Sequence, residues 1–600
     1  MPKSLTKALN PPQKLAVTFG EGPLLILAGA GSGKTRALTY RVAYLIKERQ
    51  VDPKRILLVT FTNKAAGEMR QRLEKLVGRD HSAGLFAGTF HAFCVRLLRI
   101  DGGKIGIEPN FVIYDEADSL AVIKKAIKNL KLNPKTYKPR GVKSLISQAK
   151  NELISAEAYP QYARGEWQKG VAEIFLEYQR LLNRFRALDF DDLLMKAVYL
   201  LKKDQPTRQK YQDRYQWVLV DEYQDTNKAQ YELTKILAGK WRNLAAVGDF
   251  SQSIYAFRGA DYRNINQLKQ DFADLRQISL EQNYRSTQTI LDAATAVIAK
   301  NSLHPVLTLW TKAGLGAKVK IFEADNEKEE AGFIVATIKN DPGSHAVLYR
   351  TNAQSRVIEE ALLKNGMAYS LVGGVRFYAR REIKDLTAYL RLINNPKDLV
   401  SYQRLEKLGK RSLNRFVNWL DQKKNIDKLP TRKILEQVVK VTGYLDRFDK
   451  KNEEDLNRLE NIDELNSVAE EFKDLGAFLE NAALVEAADR PTLKGKENHE
   501  GVTLMTMHNS KGLEFDTVFM IGMEEGLFPH SRSSFNKEDL EEERRLCYVG
   551  MTRAKRQLYL SYARGRFYFG RRNYNTVSRF LADIDEGLLE FVNQEFDIIT

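Results

Sequence analysis

The chain has 600 residues, a mass of 68.7 kDa, 43% hydrophobic and 28% charged side chains, enough for about four domains at roughly 150 residues each. Its 94 Lys and Arg against 77 Asp and Glu give a net charge of +17 and a pI of about 9.4, which points to a polyanionic partner without separating nucleic acid from an anionic membrane surface. No apolar run nears the roughly 18–20 residues of a membrane span, Met1 opens no charged-then-apolar leader, and Cys94 and Cys547 stand far apart without CxxC spacing; membrane spans, secretory precursors, disulfide scaffolds, zinc modules and iron–sulfur clusters are therefore not expected.

Along the first third of the chain, short apolar runs alternate with helical stretches: Leu24–Leu27 then Arg36–Glu48, and Ile56–Thr60 then Lys64–Leu76. This is the βα alternation of a parallel sheet with helices on its faces. After Asp115 the periodicity becomes helical and rich in Lys and Gln, to about Arg186, and predicts a helical insertion. Strand signals return at Trp217–Val220 and Leu244–Val247, then at Val319–Phe322, Ala346–Tyr349 and Tyr369–Val372. A second helical stretch covers about Leu386–Asn498, and a last βα segment starts at Val502–Thr506. Two sheet domains, each interrupted by a helical insertion, account for the chain.

The segment Ala28-Gly29-Ala30-Gly31-Ser32-Gly33-Lys34-Thr35 follows an apolar run and precedes a helix, the context a P-loop needs. Glycines let backbone N–H groups turn towards a phosphate chain, and the helix N-terminus adds partial positive charge. Lys34 is expected to reach the β- and γ-phosphates and the Thr35 hydroxyl to ligate Mg²⁺. Ala28 stands where the P-loop pattern has its first glycine. A second acidic half is expected after a strand, and Trp217–Val220 runs into Asp221 and Glu222. Asp221 would hold the Mg²⁺ shell and Glu222 would polarise the attacking water.

With Asp221-Glu-Tyr-Gln-Asp-Thr-Asn227 and Val247-Gly-Asp-Phe-Ser-Gln-Ser-Ile-Tyr-Ala-Phe-Arg-Gly-Ala260, the chain resembles the UvrD/PcrA/Rep group of superfamily 1 DNA helicases. Further matches, in the family's order, are Leu9–Gln13, Thr60–Ala66, Gly88–His91, Asp189–Leu193, Gln282–Thr287, Val502–His508, Lys511–Phe515 and Tyr548–Lys555. The resemblance implies an α/β fold of two RecA-like parallel-sheet motor domains: 1A at 1–114 and 190–279 with helical insertion 1B at 115–189, and 2A at 280–385 and 499–600 with helical insertion 2B at 386–498. It implies that Gln13 reads adenine, that Arg36 and Tyr284 sandwich the base and that Glu514 holds the ribose side. Gln252 would sense the γ-phosphate, and Arg285 and Arg553 would be arginine fingers from the second sheet domain.

For DNA, the aromatic and polar residues within these motifs are candidates, Phe61, Asn63, Thr89, His91, Phe190, Tyr255, Phe257, Arg258 and His508, with Phe569 nearer the end, since bases stack on aromatic faces along a basic groove. Phe257 stands where the family more often has Trp, and Gly248-Asp-Phe-Ser-Gln252 lacks acidic residues usual beside the phosphate site. The activity implied is ATP- and Mg²⁺-dependent translocation on single-stranded DNA, 3′→5′, with duplex unwinding at single-strand/double-strand junctions. The rival readings are a translocase that strips bound proteins, an ATP-dependent repair scaffold, and the helicase part of a helicase–nuclease. Repair or replication proteins are the expected partners, with a monomer or a DNA-induced dimer as the working form and a cytoplasmic, nucleoid-associated location. The second insertion is short for the family and an extended C-terminal tail is not expected. Two windows carry cations without acids, nine in Ser119–Asn151 and ten in Arg544–Ala582, and both are expected to be basic surface patches.

Overall fold

The computed structural model describes residues 5–256, 259–261, 263–423, 426–450, 452–487, 501–568 and 571–592. It divides into two units: unit 1 comprises residues 1–284 and 302–312, unit 2 residues 285–301 and 313–600.

In unit 1 the strands β1 (Leu24–Ala28), β2 (Ile56–Thr60), β3 (Phe86–Thr89), β4 (Trp217–Val220), β5 (Asn243–Gly248) and β6 (Arg276–Leu280) form one sheet in the order β3-β2-β4-β5-β1-β6. Every neighbouring pair is parallel. The strands read as continuous apolar runs because both faces are covered, and the period of two sorts their side chains. Leu24, Ile26, Leu58 and Leu219 enter one core, with the helices Lys34–Lys47 and Asn63–Val77. Leu25, Leu57, Val218 and Val220 enter the other, with the helices Phe90–Asp101 and Phe190–Lys203. The helical insertion leaves along Val112–Tyr114 and returns along Ala187–Asp189, two short strands paired in parallel. Its helices Glu116–Asn129, Pro139–Asn151 and Gly165–Arg184 bury Val122, Ile146, Phe175 and Tyr178 in a core of their own.

In unit 2, β7 (Val319–Ala324), β8 (His345–Tyr349), β9 (Tyr369–Leu371), β10 (Val502–Thr506), β11 (Phe515–Met520), β12 (Ala554–Ala563) and β13 (Leu589–Phe591) form a second parallel sheet, ordered β9-β10-β8-β11-β12-β7-β13. The chain leaves it through the helix Arg381–Asn394, which runs through the expected boundary at residue 386, because Ile383 and Leu386 are both buried in one helical core. That core continues through helices up to Leu475–Ala487. The fold is mixed α/β, two parallel-sheet units of RecA-like type each carrying a helical part. Among the described residues no helix is long and apolar enough to cross a membrane. Both cysteines are free and fully buried, Cys94 in unit 1 and Cys547 in unit 2.

The two basic windows fare differently. In the first, Lys124, Lys125, Lys128, Lys131 and Lys135 are exposed, but Lys150 is fully buried, its Nζ 2.7 Å from Asp189 and 2.9 Å from Asp192. In the second, Arg572 is exposed, but eight of the ten cations are buried or paired. Arg544, Arg545, Arg553 and Arg566 are buried, while Lys555, Arg556, Arg564 and Arg579 pair with Glu514, Asp341, Glu323 and Glu525. Acids distant in sequence neutralise much of a stretch that contains none, because parallel strands bring remote segments side by side.

Candidate nucleotide and DNA site

Three loops converge at the C-terminal ends of β1, β4 and β5, neighbours in the sheet of unit 1 and the place where open α/β sheets hold ligands. After β1, Gly31 and Gly33 take φ of +63° and +83°, a region open to glycine at no steric cost. Ala28 needs no such freedom, since it completes β1 opposite Leu280, so its methyl in place of a glycine causes no strain. Gly29 is different: a Cβ there would stand 2.3 Å from Leu309. Ala30 and Ser32 are buried in the loop, whose turn closes with the Ser32 hydroxyl donating to the Gly29 carbonyl at 2.7 Å. The helix Lys34–Lys47 begins on Gly33 with no side-chain cap and no acidic residue in its first turn, which leaves its N–H groups and dipole available to an anion.

Asp221 and Glu222 follow β4. The Thr35 hydroxyl donates to Asp221 Oδ2 at 3.3 Å, and Asp221 Oδ1 is buried with no hydrogen-bond partner. Burial, and then the Glu222 carboxylate, push Asp221 up to about 7. An orphaned carboxylate oxygen beside a hydroxyl is a hard-oxygen donor pair, and it fits Mg²⁺, which takes one or two protein ligands together with phosphate oxygens and water. Glu222 has φ +52°, uncommon for a residue with a side chain. After β5, Asp249 lies 3.7 Å from Lys34 Nζ and accepts from Gln252 Nε2 at 2.6 Å.

Gln13 is buried on the other side of the loop: Nε2 donates to the Ser32 carbonyl at 2.9 Å, and a capping box joins Gln13 to Asn10. Arg36 donates to the Ala8 carbonyl at 2.8 Å and lies over Tyr40, while the Tyr284 hydroxyl accepts from Asn10 at 2.8 Å with its ring 52% exposed. Arg36 and Tyr284 are thus both anchored to the Ala8–Asn10 segment, and Arg36 already has a ring partner. The sequence does not single out Asn10, nor Asn283, whose Nδ2 donates to the Ala30 carbonyl at 2.7 Å. Both are short polar residues inside longer motifs, with no pattern of their own.

Among the DNA candidates of unit 1, Phe61 packs edge-on against Phe90 at 5.7 Å and is half-buried, and Asn63 is exposed at the start of its helix. Thr89 accepts from Ala92 N as a helix cap. His91 meets Phe190 edge-on at 5.6 Å, and burial lowers its pKa, so the ring stays neutral at pH 7. Phe190 is 51% exposed, a face open to stacking. Tyr255 is partly exposed. Phe257, Arg258 and Phe569 lie outside the described residues.

Within unit 2, Arg285 Nε donates to Glu514 at 2.9 Å and its Nη1 to the Thr552 carbonyl at 3.1 Å. Burial alone would raise the Glu514 pKa, but Arg285 and Lys555 hold it below the ordinary value. Arg553 is buried: Nε donates to the Val549 carbonyl at 2.9 Å and Nη1 to that of Leu513 at 3.3 Å. The two expected fingers therefore begin from different states, one in an ion pair with a bond to one backbone carbonyl and one held by two backbone carbonyls. His508 lies in a short turn after β10, partly exposed.

The description of the UvrD/REP helicase N-terminal domain matches residues 9–273, and that of the UvrD-like helicase C-terminal domain matches residues 278–429 and 428–565. The chain belongs to this helicase family. An ATP-dependent DNA helicase PcrA of Bacillus subtilis (strain 168) is 44% identical over 98% of this chain and 87% of its own length. ATP-dependent DNA helicases PcrA of Staphylococcus aureus (strain Mu50) and Staphylococcus epidermidis (strain RP62A) are each 43% identical over 98% of this chain, covering 87% and 88% of those proteins.

Proposed function

We propose that the chain is an ATP-dependent DNA helicase that translocates 3′→5′ on single-stranded DNA and unwinds duplex in DNA repair or replication, in the cytoplasm on nucleoid DNA. The observation that carries the motor reading is the convergence of Lys34, Thr35, Asp221, Glu222, Asp249 and Gln252 at the ends of three adjacent parallel strands. The direction rests on the likeness of the motif series to the family.

Lys34 and the loop N–H groups bind the phosphate chain. Thr35 and Asp221 would hold Mg²⁺, which would neutralise charge on the phosphate oxygens. Glu222 orients the attacking water and takes up its proton, and Gln252 registers the γ-phosphate. Arg285 and Arg553 supply the positive charge that phosphoryl transfer needs. Phe61, Phe190 and Tyr255 offer faces to the bases, and His91 adds a neutral ring. The division proposed is motor 1A with insertion 1B in unit 1 and motor 2A with insertion 2B in unit 2.

Strand displacement on duplexes with a 3′ or a 5′ single-stranded tail tests this. A 3′-tailed duplex is expected to be opened in an ATP-dependent manner, and a preference for 5′ tails would contradict the proposed direction.

A further inference from the structure

We propose that Gln224 is a positioning residue that couples the hydrolytic carboxylate to the loop that meets DNA, so that occupancy of the DNA track sets the attitude of Glu222. The inference rests on the assignment of Glu222 as base and of the Gln252–Tyr255 loop to DNA.

Gln224 is fully buried between these two elements. Its Nε2 donates to Glu222 Oε2, and its Oε1 accepts from the backbone N–H of Asp249 at 3.0 Å. Its own carbonyl accepts from the Ser253 hydroxyl at 3.2 Å. Asp249 in turn accepts from Gln252 at 2.6 Å, so an unbroken run of hydrogen bonds leads from Glu222 through Gln224 and Asp249 to Gln252. The segment after Gln224 is held from another side: the Thr226 carbonyl accepts from Asp261 N at 3.1 Å and from Asn264 Nδ2 at 2.8 Å. Gly248 leaves room for this arrangement, since a Cβ there would lie 2.7 Å from Gln224 Oε1.

The chemistry selects an amide. Glu222 needs a donor and Asp249 N–H needs an acceptor, and a primary amide offers both at one side-chain end. A carboxylate would keep the acceptor but face Glu222 with like charge, and a thioether would keep neither strong bond. Because Glu222 sits at φ +52°, its side-chain direction is not that of an ordinary strand end, and Gln224 holds it there through a hydrogen bond. A shift of the Asp249–Tyr255 loop on DNA binding therefore reaches Glu222 through one rigid amide.

The experiment measures ATP hydrolysis with and without saturating oligo(dT), the KM for ATP and the Kd for oligo(dT) by fluorescence anisotropy, for wild type, Gln224→Glu, Gln224→Met and Glu222→Gln. In both Gln224 variants the DNA-stimulated kcat is expected to fall at least about fivefold more than the basal kcat, with KM and Kd within about twofold of wild type. Gln224→Glu has the shape of the native residue, so the comparison stands even where the Met variant folds poorly. Equal loss of basal and stimulated rates would reduce Gln224 to a structural role and overturn the proposal, as would an unchanged stimulation ratio. Hydrolysis by Glu222→Gln at the wild-type rate would instead remove the assignment of the base, so failure of the coupling and failure of the site are told apart.

Discussion

Glu222 and Arg553 show how a residue's setting changes what its substitution should do. Glu222→Gln keeps size and shape but removes the proposed proton acceptor, so kcat should fall by about 10²–10³ with ATP binding retained; turnover near the wild-type rate in a steady-state assay would disprove the assignment. Arg553 is held by the carbonyls of Val549 and Leu513 inside unit 2. Arg553→Ala should therefore cost about 1–3 kcal/mol in stability, as buried acceptors lose their donor, besides slowing hydrolysis. Arg285, its side chain 14% exposed, gives one bond to the Thr552 carbonyl and pairs with the half-exposed Glu514, so Arg285→Ala should slow hydrolysis with a smaller stability loss than Arg553→Ala. Thermal unfolding of the two variants separates these outcomes, and equal stability loss would contradict the contrast. That Lys34, Asp221 and Glu222 follow apolar strands is readable in the sequence, because the runs Leu24–Ala28 and Trp217–Val220 lead into the loops that carry them. The burial of Arg553, the pairing of Arg285 with Glu514 and the two hydrogen bonds of the Gln224 amide are not, since each depends on partners brought up by other strands.

At the level of elements, the junction of the helical insertion with the sheet of unit 1 is a buried ionic cluster. Lys150, at the end of the helix Pro139–Asn151, meets Asp189 and Asp192, and Tyr178 donates to Asp189 at 2.8 Å. Burial would lower the Lys150 pKa, but the two carboxylates hold it above its ordinary value. Removing the cation by Lys150→Met leaves two buried acids uncompensated and should cost about 3–5 kcal/mol, read as a lower Tm; an unchanged Tm would contradict the cluster's role. Asp191 beside it is pushed up to about 6 from 3.8, first by burial and then by Asp189. The folded chain thus binds this proton more tightly than the unfolded one. The stabilisation is complete below pH 3.8 and is lost as pH rises through about 6. Asp191→Asn should raise Tm at pH 8 by an amount of the order of 1–2 kcal/mol in stability and change little at pH 4; the reverse pattern in calorimetry would refute the sign. The apolar strands are legible in the sequence because burial on both faces leaves continuous runs such as Leu24–Ala28. The short strands Val112–Tyr114 and Ala187–Asp189 that close the insertion are not, since three residues carry too little period.

For the whole molecule, the positive charge of +17 is not spread as the sequence windows suggest. Local composition records which cations lack acidic neighbours along the chain, whereas the fold decides which lack them in space. The acids at Asp341, Glu323, Glu514 and Glu525 come to the second window from elsewhere in unit 2. The exposed lysines of the first window remain the candidate surface for a polyanion. Replacing Lys124, Lys128, Lys131 and Lys135 by Gln should flatten the slope of log K against log salt for duplex DNA by about 0.9 for each phosphate left without its lysine, with ATP hydrolysis in the absence of DNA unchanged. Substituting Arg556 and Arg564 should leave the slope as it is; a larger effect there would restore the second window as a DNA surface.

That the ends of β1, β4 and β5 form an ATPase governed by DNA is tested most directly by steady-state ATP hydrolysis of the wild-type protein, titrated with single-stranded oligonucleotide in the presence of Mg²⁺. The expected result is a saturable rise in kcat that Glu222→Gln abolishes. A wild-type rate that does not respond to DNA would contradict it.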